Sequence, residues 1–121
     1  AFREKYQTQH LHFFKNMEGE DFLKLLYHSK CLVGNSSVGI RECAYLGVPV
    51  INIGTRQNCR ERGHNVIDVD YSAERIRWAI GQWLQSECPV SSNIYGGGNA
   101  GRNIASLLAE LPLRFHKTIT Y

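Results

Sequence analysis

Residues 34–62 read GNSSVGIRECAYLGVPVINIGTRQNCRER, and the order of textures in them decides the fold. Leading in, Cys31-Leu32-Val33-Gly34 is a short continuous apolar run, the pattern of a strand covered on both faces. Asn35-Ser36-Ser37 is a polar turn ending in a helix cap, 38–46 suits a helix, and Gly47 suits its stop. Pro49-Val50-Ile51-Asn52-Ile53 is the clearest strand of the chain, and the polar loop Gly54-Thr55-Arg56-Gln57 follows it. Strand, turn, helix, strand at these lengths is a parallel β-α-β unit.

Working outward, Asn65-Val66-Ile67-Asp68-Val69 is a further strand, and Leu11-His12-Phe13-Phe14 is β-prone enough to expect another. Helical spacing marks 20–28 through Phe22, Leu23, Leu25 and Leu26, and 71–85 through Ile76, Ala79, Ile80, Trp83 and Leu84, with Ser72 as cap. After a loop at 88–98, a last helix at 99–111 is expected to bury Ile104, Leu107, Leu108 and Leu111. Four strands alternating with helices predict an α/β fold, a Rossmann-like parallel sheet with helices on both faces. Such a sheet normally has more strands, so one or two are expected before Ala1. Residues 1–112 are read as one partial domain and 113–121 as a tail or linker.

The chain has 121 residues, 43% hydrophobic and 21% charged, which suits one core and not two full domains. That content excludes a disordered chain, and no apolar run approaches the roughly 20 residues of a membrane helix. The net charge is +3, and the densest basic stretch, Arg56, Arg60 and Arg62, is interrupted by Glu61. This suits one anionic ligand better than a nucleic-acid footprint. Cys31, Cys43, Cys59 and Cys88 contain no C-x-x-C pair, so neither a zinc ribbon nor a disulfide scaffold is expected, and a reducing cytoplasm is. His10 and His12 share a strand face but lack a third ligand, so no metal or cofactor is expected. The opening Ala1-Phe2-Arg3-Glu4-Lys5 lacks an initiator methionine and reads as the start of a piece of a longer protein.

In open α/β sheets ligands sit beyond the carboxyl ends of the strands, where 34–37 and 54–57 both fall. Ser36 and Ser37 bring two hydroxyls to a helix start, whose free N–H groups favour an anion such as phosphate. Gly39 is expected to allow close backbone approach there. Glu42, further along the helix, suits acceptance from two vicinal ribose hydroxyls. Arg56 and Arg60 add cations with the bidentate geometry of guanidinium. Each residue also has a plainer use: Ser-Ser as a cap, Glu42 as a solvated partner of Arg41 or Arg62, Asn35 as a turn residue.

The strings GNSS-x-G-x-RE, G-x-PVIN-x-GTRQ and R-E-x-G-x-NV, with SSNIYGGGNA near the end, resemble the UDP-N-acetylglucosamine 2-epimerase family, particularly its hydrolysing branch. The resemblance runs from about Phe14 to Leu111. It implies two Rossmann-like domains of glycosyltransferase-B type, with this chain in the C-terminal, UDP-holding one. It also implies that Ser36, Ser37 and Gly39 meet the diphosphate and Glu42 the ribose. Arg56, Gln57 and Arg60 would reach phosphate or sugar, and Tyr95, Gly96, Gly98 and Asn99 would close the interface between domains.

The implied reaction removes the sugar's C2 proton, expels UDP and adds water, giving N-acetylmannosamine for sialic acid synthesis. The acid/base carboxylates are implied to lie upstream of Ala1, leaving this fragment inactive alone and the full-length protein a homo-oligomer. Gly97 departs from the family's usual Asp, and Gly19 from an aromatic near the base. The non-hydrolysing epimerase, a glycosyltransferase half and a non-catalytic nucleotide-sugar-binding module are the competing readings.

Overall fold

A computed structural model describes residues 10–112. Three short strands, β1 (Leu32–Gly34), β2 (Val50–Ile53) and β3 (Val66–Val69), form one sheet in the order β1-β2-β3. Both pairings are parallel, with Leu32 opposite Val50 and Val50 opposite Val66. Five helices accompany them: α1 (Gly19–Tyr27), α2 (Ser37–Ile40), α3 (Glu42–Leu46), α4 (Ala73–Gln85) and α5 (Ala100–Glu110).

The central strand β2 explains why the sheet is covered on both faces. Successive side chains of a strand point to opposite sides. Val50 joins Leu26, Cys43 and Val48 in one cluster, beneath α1 and α3. Its neighbour Ile51 joins Val69 and Ala79 in the other, beneath α4. The α4 face is pinned by a polar contact as well, since the Trp83 indole N–H donates to the Val50 carbonyl at 3.2 Å. The Rossmann-like arrangement predicted from 34–62 is therefore present, on three strands rather than four among the described residues. Residues 11–14 form no strand, and Leu11, Phe13 and Phe14 are exposed. A β-prone run states a local preference only, and tertiary context decides whether it becomes a strand.

The helix expected over 38–46 is broken in two. Its cap is as expected: Ser36 Oγ accepts from the Val38 N–H at 3.4 Å. The break falls at Arg41, at the edge of the right-handed helical region with φ −100° and ψ −73°. Here the buried Asn65 amide reaches the Gly39 carbonyl at 3.4 Å and the Val48 carbonyl at 3.0 Å. The Gly39 carbonyl is the acceptor that a continuous helix gives to residue 43, so the asparagine competes with the helix for it. Gly47 ends α3 in the left-handed region, φ 67°, and a Cβ there would stand 2.6 Å from the Pro89 carbonyl oxygen.

Two other expectations change. The helix at 99–111 forms as α5, yet Ile104, Leu107, Leu108 and Leu111 are all more than half exposed and α5 buries no residue. Amphipathic spacing shows a face suited to burial, and within residues 10–112 nothing covers it. The passage from β2 to β3 is a turn-rich loop without a helix, and it crosses beside α3, where Gly63 lies against Ala44. The expected tail at 113–121 and the segment before residue 10 lie outside the described residues.

Candidate functional site

The carboxyl ends of β1 and β2 lie side by side, so the turn 35–37 and the loop 54–57 are neighbours. They are also joined. The Gln57 side chain, 3% exposed, donates from Nε2 to the Asn35 carbonyl at 2.8 Å. Arg56 Nη1 makes a longer contact, 3.5 Å, with Asn35 Oδ1. Ser36 and Arg56 are thereby presented at one edge of the sheet, both exposed, with Ser37 half-buried beside them.

The three arginines divide. Arg62 is an internal staple: Nε meets Asp68 Oδ2 at 3.0 Å, Nη2 meets Asp68 Oδ1 at 3.3 Å, and Nη1 donates to the Gln57 carbonyl at 2.7 Å and to the Arg60 carbonyl. Asp68 Oδ1 also accepts from Asn52 Nδ2 at 2.6 Å. Burial pushes the Asp68 carboxyl up, but the hydrogen bonds from Arg62 and Asn52 and the Arg62 charge outweigh it and hold it below the ordinary aspartate value. Arg56 and Arg60 remain exposed, their guanidinium groups available to an anion.

Gly39, expected at the diphosphate, and Gln57, expected at phosphate or sugar, both face partners within the chain. Gly39 is buried, and a Cβ on it would stand 2.8 Å from Val50 Cγ1 and 3.4 Å from Leu32 Cδ2. Its missing side chain lets α2 lie close on the sheet, which is a packing role. Gln57 is likewise behind the surface, turned toward Asn35.

Glu42, at the start of α3, opens on a cavity of about 350 Å³ walled by Leu23, Arg41, Tyr45, Leu46, Tyr95 and Gly96, with Ser92 beside them. Its Oε2 is buried without a hydrogen-bond partner. A carboxylate oxygen in that state favours a ligand that brings hydroxyl or N–H donors. The cavity unites Glu42 with Tyr95 and Gly96, while Ser36, Ser37, Arg56, Gly98 and Asn99 do not line it. The loop forming its wall is fastened at three points. The Ser92 N–H donates to the Ala44 carbonyl at 2.9 Å and the Ser91 hydroxyl to the Tyr45 carbonyl, both acceptors in the last turn of α3. Tyr95 Oη donates to the Glu61 carbonyl at 2.8 Å. Gly96 and Gly98, at φ 104° and 83°, bend the chain between that anchor and Asn99, which caps α5 without a side-chain hydrogen bond.

Sequence reasoning missed Tyr45 on the cavity wall and Asn52, Asp68 and Arg62 as the support behind the loops. Tyr45 stands three residues after Glu42, a helical spacing that places both on one face. For the support the signal was an Asn and an Asp inside β-strands, where neither is favoured. Cys43 is fully buried, and burial followed by the Glu42 charge pushes its thiol up to about 12.

A profile of the UDP-N-acetylglucosamine 2-epimerase family matches residues 1–109. The chain belongs to that family. Among its epimerase relatives, the UDP-N-acetylglucosamine 2-epimerase of Neisseria meningitidis is 47% identical over 95 residues, 78% of this chain and 25% of the relative. The UDP-N,N'-diacetylbacillosamine 2-epimerase (hydrolyzing) of Legionella pneumophila is 38% identical over 99 residues, 82% of this chain and 26% of the relative. The polysialic acid biosynthesis protein P7 of Escherichia coli is 43% identical over 99 residues, 78% of this chain and 25% of the relative. The chain thus spans about a quarter of the length of these curated relatives. No helix among the described residues of this epimerase-family chain is long and apolar enough to cross a membrane.

Proposed function

We propose that this chain is the UDP-holding part of a hydrolysing UDP-N-acetylglucosamine 2-epimerase, converting UDP-N-acetylglucosamine and water to N-acetylmannosamine and UDP. Ser36 and Ser37 take the diphosphate, Glu42 accepts from the ribose hydroxyls, and Arg56 and Arg60 supply positive charge. The observation that carries this reading is the buried, unpartnered Glu42 oxygen at its cavity, at the start of α3 and five residues beyond Ser37. Departure of UDP needs stabilisation of the charge growing on the diphosphate, and exposed guanidinium groups at the sheet edge are suited to it. Abstraction of the C2 proton needs a general base, which this reading assigns to a carboxylate in another part of the full-length protein. That protein is read as a cytoplasmic homo-oligomer that needs no cofactor, its second domain closing against Tyr95, Gly96, Gly98 and Asn99.

Calorimetry with UDP tests the binding assignment. Wild type should bind, and Glu42→Ala should weaken binding by roughly 1–3 kcal/mol, the range for hydrogen-bonded groups left unpaired. Equal affinity in the two proteins would remove Glu42 from the site. Incubating the chain alone with UDP-N-acetylglucosamine should release no UDP. Product analysis of the full-length enzyme distinguishes hydrolysis from epimerisation with UDP retained.

A further inference from the structure

We infer that Gln57 and Arg62 are positioning residues, which hold the 35–37 turn and the Arg56 loop in register for the diphosphate without touching it. The inference rests on the UDP reading above and adds to it a support that the ligand never contacts. The hydrogen bonds form one continuous path. Asn52 on β2 holds Asp68 on β3 at 2.6 Å, and Asp68 holds the Arg62 fork at 3.0 and 3.3 Å. Arg62 holds the Gln57 carbonyl at 2.7 Å, and the Gln57 amide holds the Asn35 carbonyl at 2.8 Å. The next residue is Ser36, whose hydroxyl caps α2.

The Gln57 amide has a specific reason to be there. Its Oε1 is buried without a partner, a state that costs stability, so nothing about its oxygen accounts for a glutamine in this position. Its N–H is what the fold uses, as the donor to the Asn35 carbonyl. Arg62 in turn fixes Gln57 through the main chain, so the guanidinium sets where residue 57 stands and the amide sets where residue 35 stands. A lysine cannot make these contacts together, since it lacks the planar fork.

The test compares wild type with Gln57→Met, which keeps the length and removes the donor, and Arg62→Lys, which keeps the charge and removes the fork. Amide NMR signals of Ser36 and Ser37 are followed without ligand, and UDP affinity is measured by calorimetry. In both variants those two signals should move, although neither substitution is at the turn. UDP affinity should fall roughly three- to thirtyfold, the span found for substitutions along a coupling network. A merely structural role would lower the melting temperature while leaving the signals and affinity of the folded protein unchanged, and that result overturns the inference. Should Gln57→Met fail to fold, Arg62→Lys at its partly exposed site decides. Should wild type bind no UDP, the UDP reading fails by itself. Unmoved Ser36 and Ser37 signals would then still overturn the positioning role, and moved signals would uphold it.

Discussion

Asn65 shows how much one polar side chain can organise. It is 2% exposed, its amide serves the Gly39 and Val48 carbonyls, and its own carbonyl accepts from the Val50 N–H at 2.7 Å. Asn65→Ala should destabilise the protein by about 1–3 kcal/mol, read from urea unfolding, because two buried acceptors lose their donor. Asp68 sets an acid limit. Its folded-state pKa is lowered by Arg62 and Asn52 against the opposing effect of burial, so its contribution is complete above the ordinary aspartate value and is lost as pH falls through the lower folded value. Unfolding free energy should therefore drop from about pH 4 downward. Asp68→Asn should flatten that drop, and an unchanged slope in urea melts between pH 6 and pH 3 would refute it. At this scale the caps Ser36, Gly47 and Ser72 were legible in the sequence because each acts on backbone within a few residues. The contacts of Gln57 with Asn35 and of Gly39 with Val50 were not legible, because those partners are brought there only by the fold.

The elements differ in what anchors them. Leu26 of α1 is 4% exposed and packs with Cys43, Val48 and Val50, whereas Leu108 of α5 is 59% exposed. Leu26→Ala should cost about 2–5 kcal/mol, since both transfer energy and a cavity are involved. Leu108→Ala should change stability by less than about 0.5 kcal/mol, the usual range at exposed sites. A cost at Leu108 comparable to that at Leu26 would mean that α5 packs on the core after all. The same contrast explains which elements could be read in advance. The β1, β2 and β3 runs and α4 are recognisable because their apolar residues meet in the two clusters on either side of the sheet, as their patterns imply. The α5 stripe carries an equally clear pattern, but periodicity reports a face and not its neighbour. At 11–14 a local preference for strand did not decide the outcome, and at 38–46 the break at Arg41 depends on Asn65, 24 residues away in sequence.

At the scale of the whole molecule, three strands of three or four residues separate two small apolar clusters. A core of this size leaves a narrow stability margin, so a ligand that binds only the folded chain should have a large thermal effect. UDP at a hundredfold excess over its dissociation constant adds about 2.7 kcal/mol. For a domain of 60–100 residues each kcal/mol raises the melting temperature by roughly 4–8 °C, so a rise of about 10–20 °C is expected. The effect should follow the parts of the site. Uridine, which lacks the diphosphate, should retain its dependence on Glu42 and lose that on Arg56. Inorganic diphosphate should show the reverse, because Ser36, Ser37 and Arg56 stand at the sheet edge while Glu42 opens on the cavity walled by Tyr45 and Tyr95. Melting curves of wild type, Glu42→Ala and Arg56→Ala with each of the three ligands would decide it. Identical shifts in all three proteins would mean that the ligand binds away from this edge of the sheet.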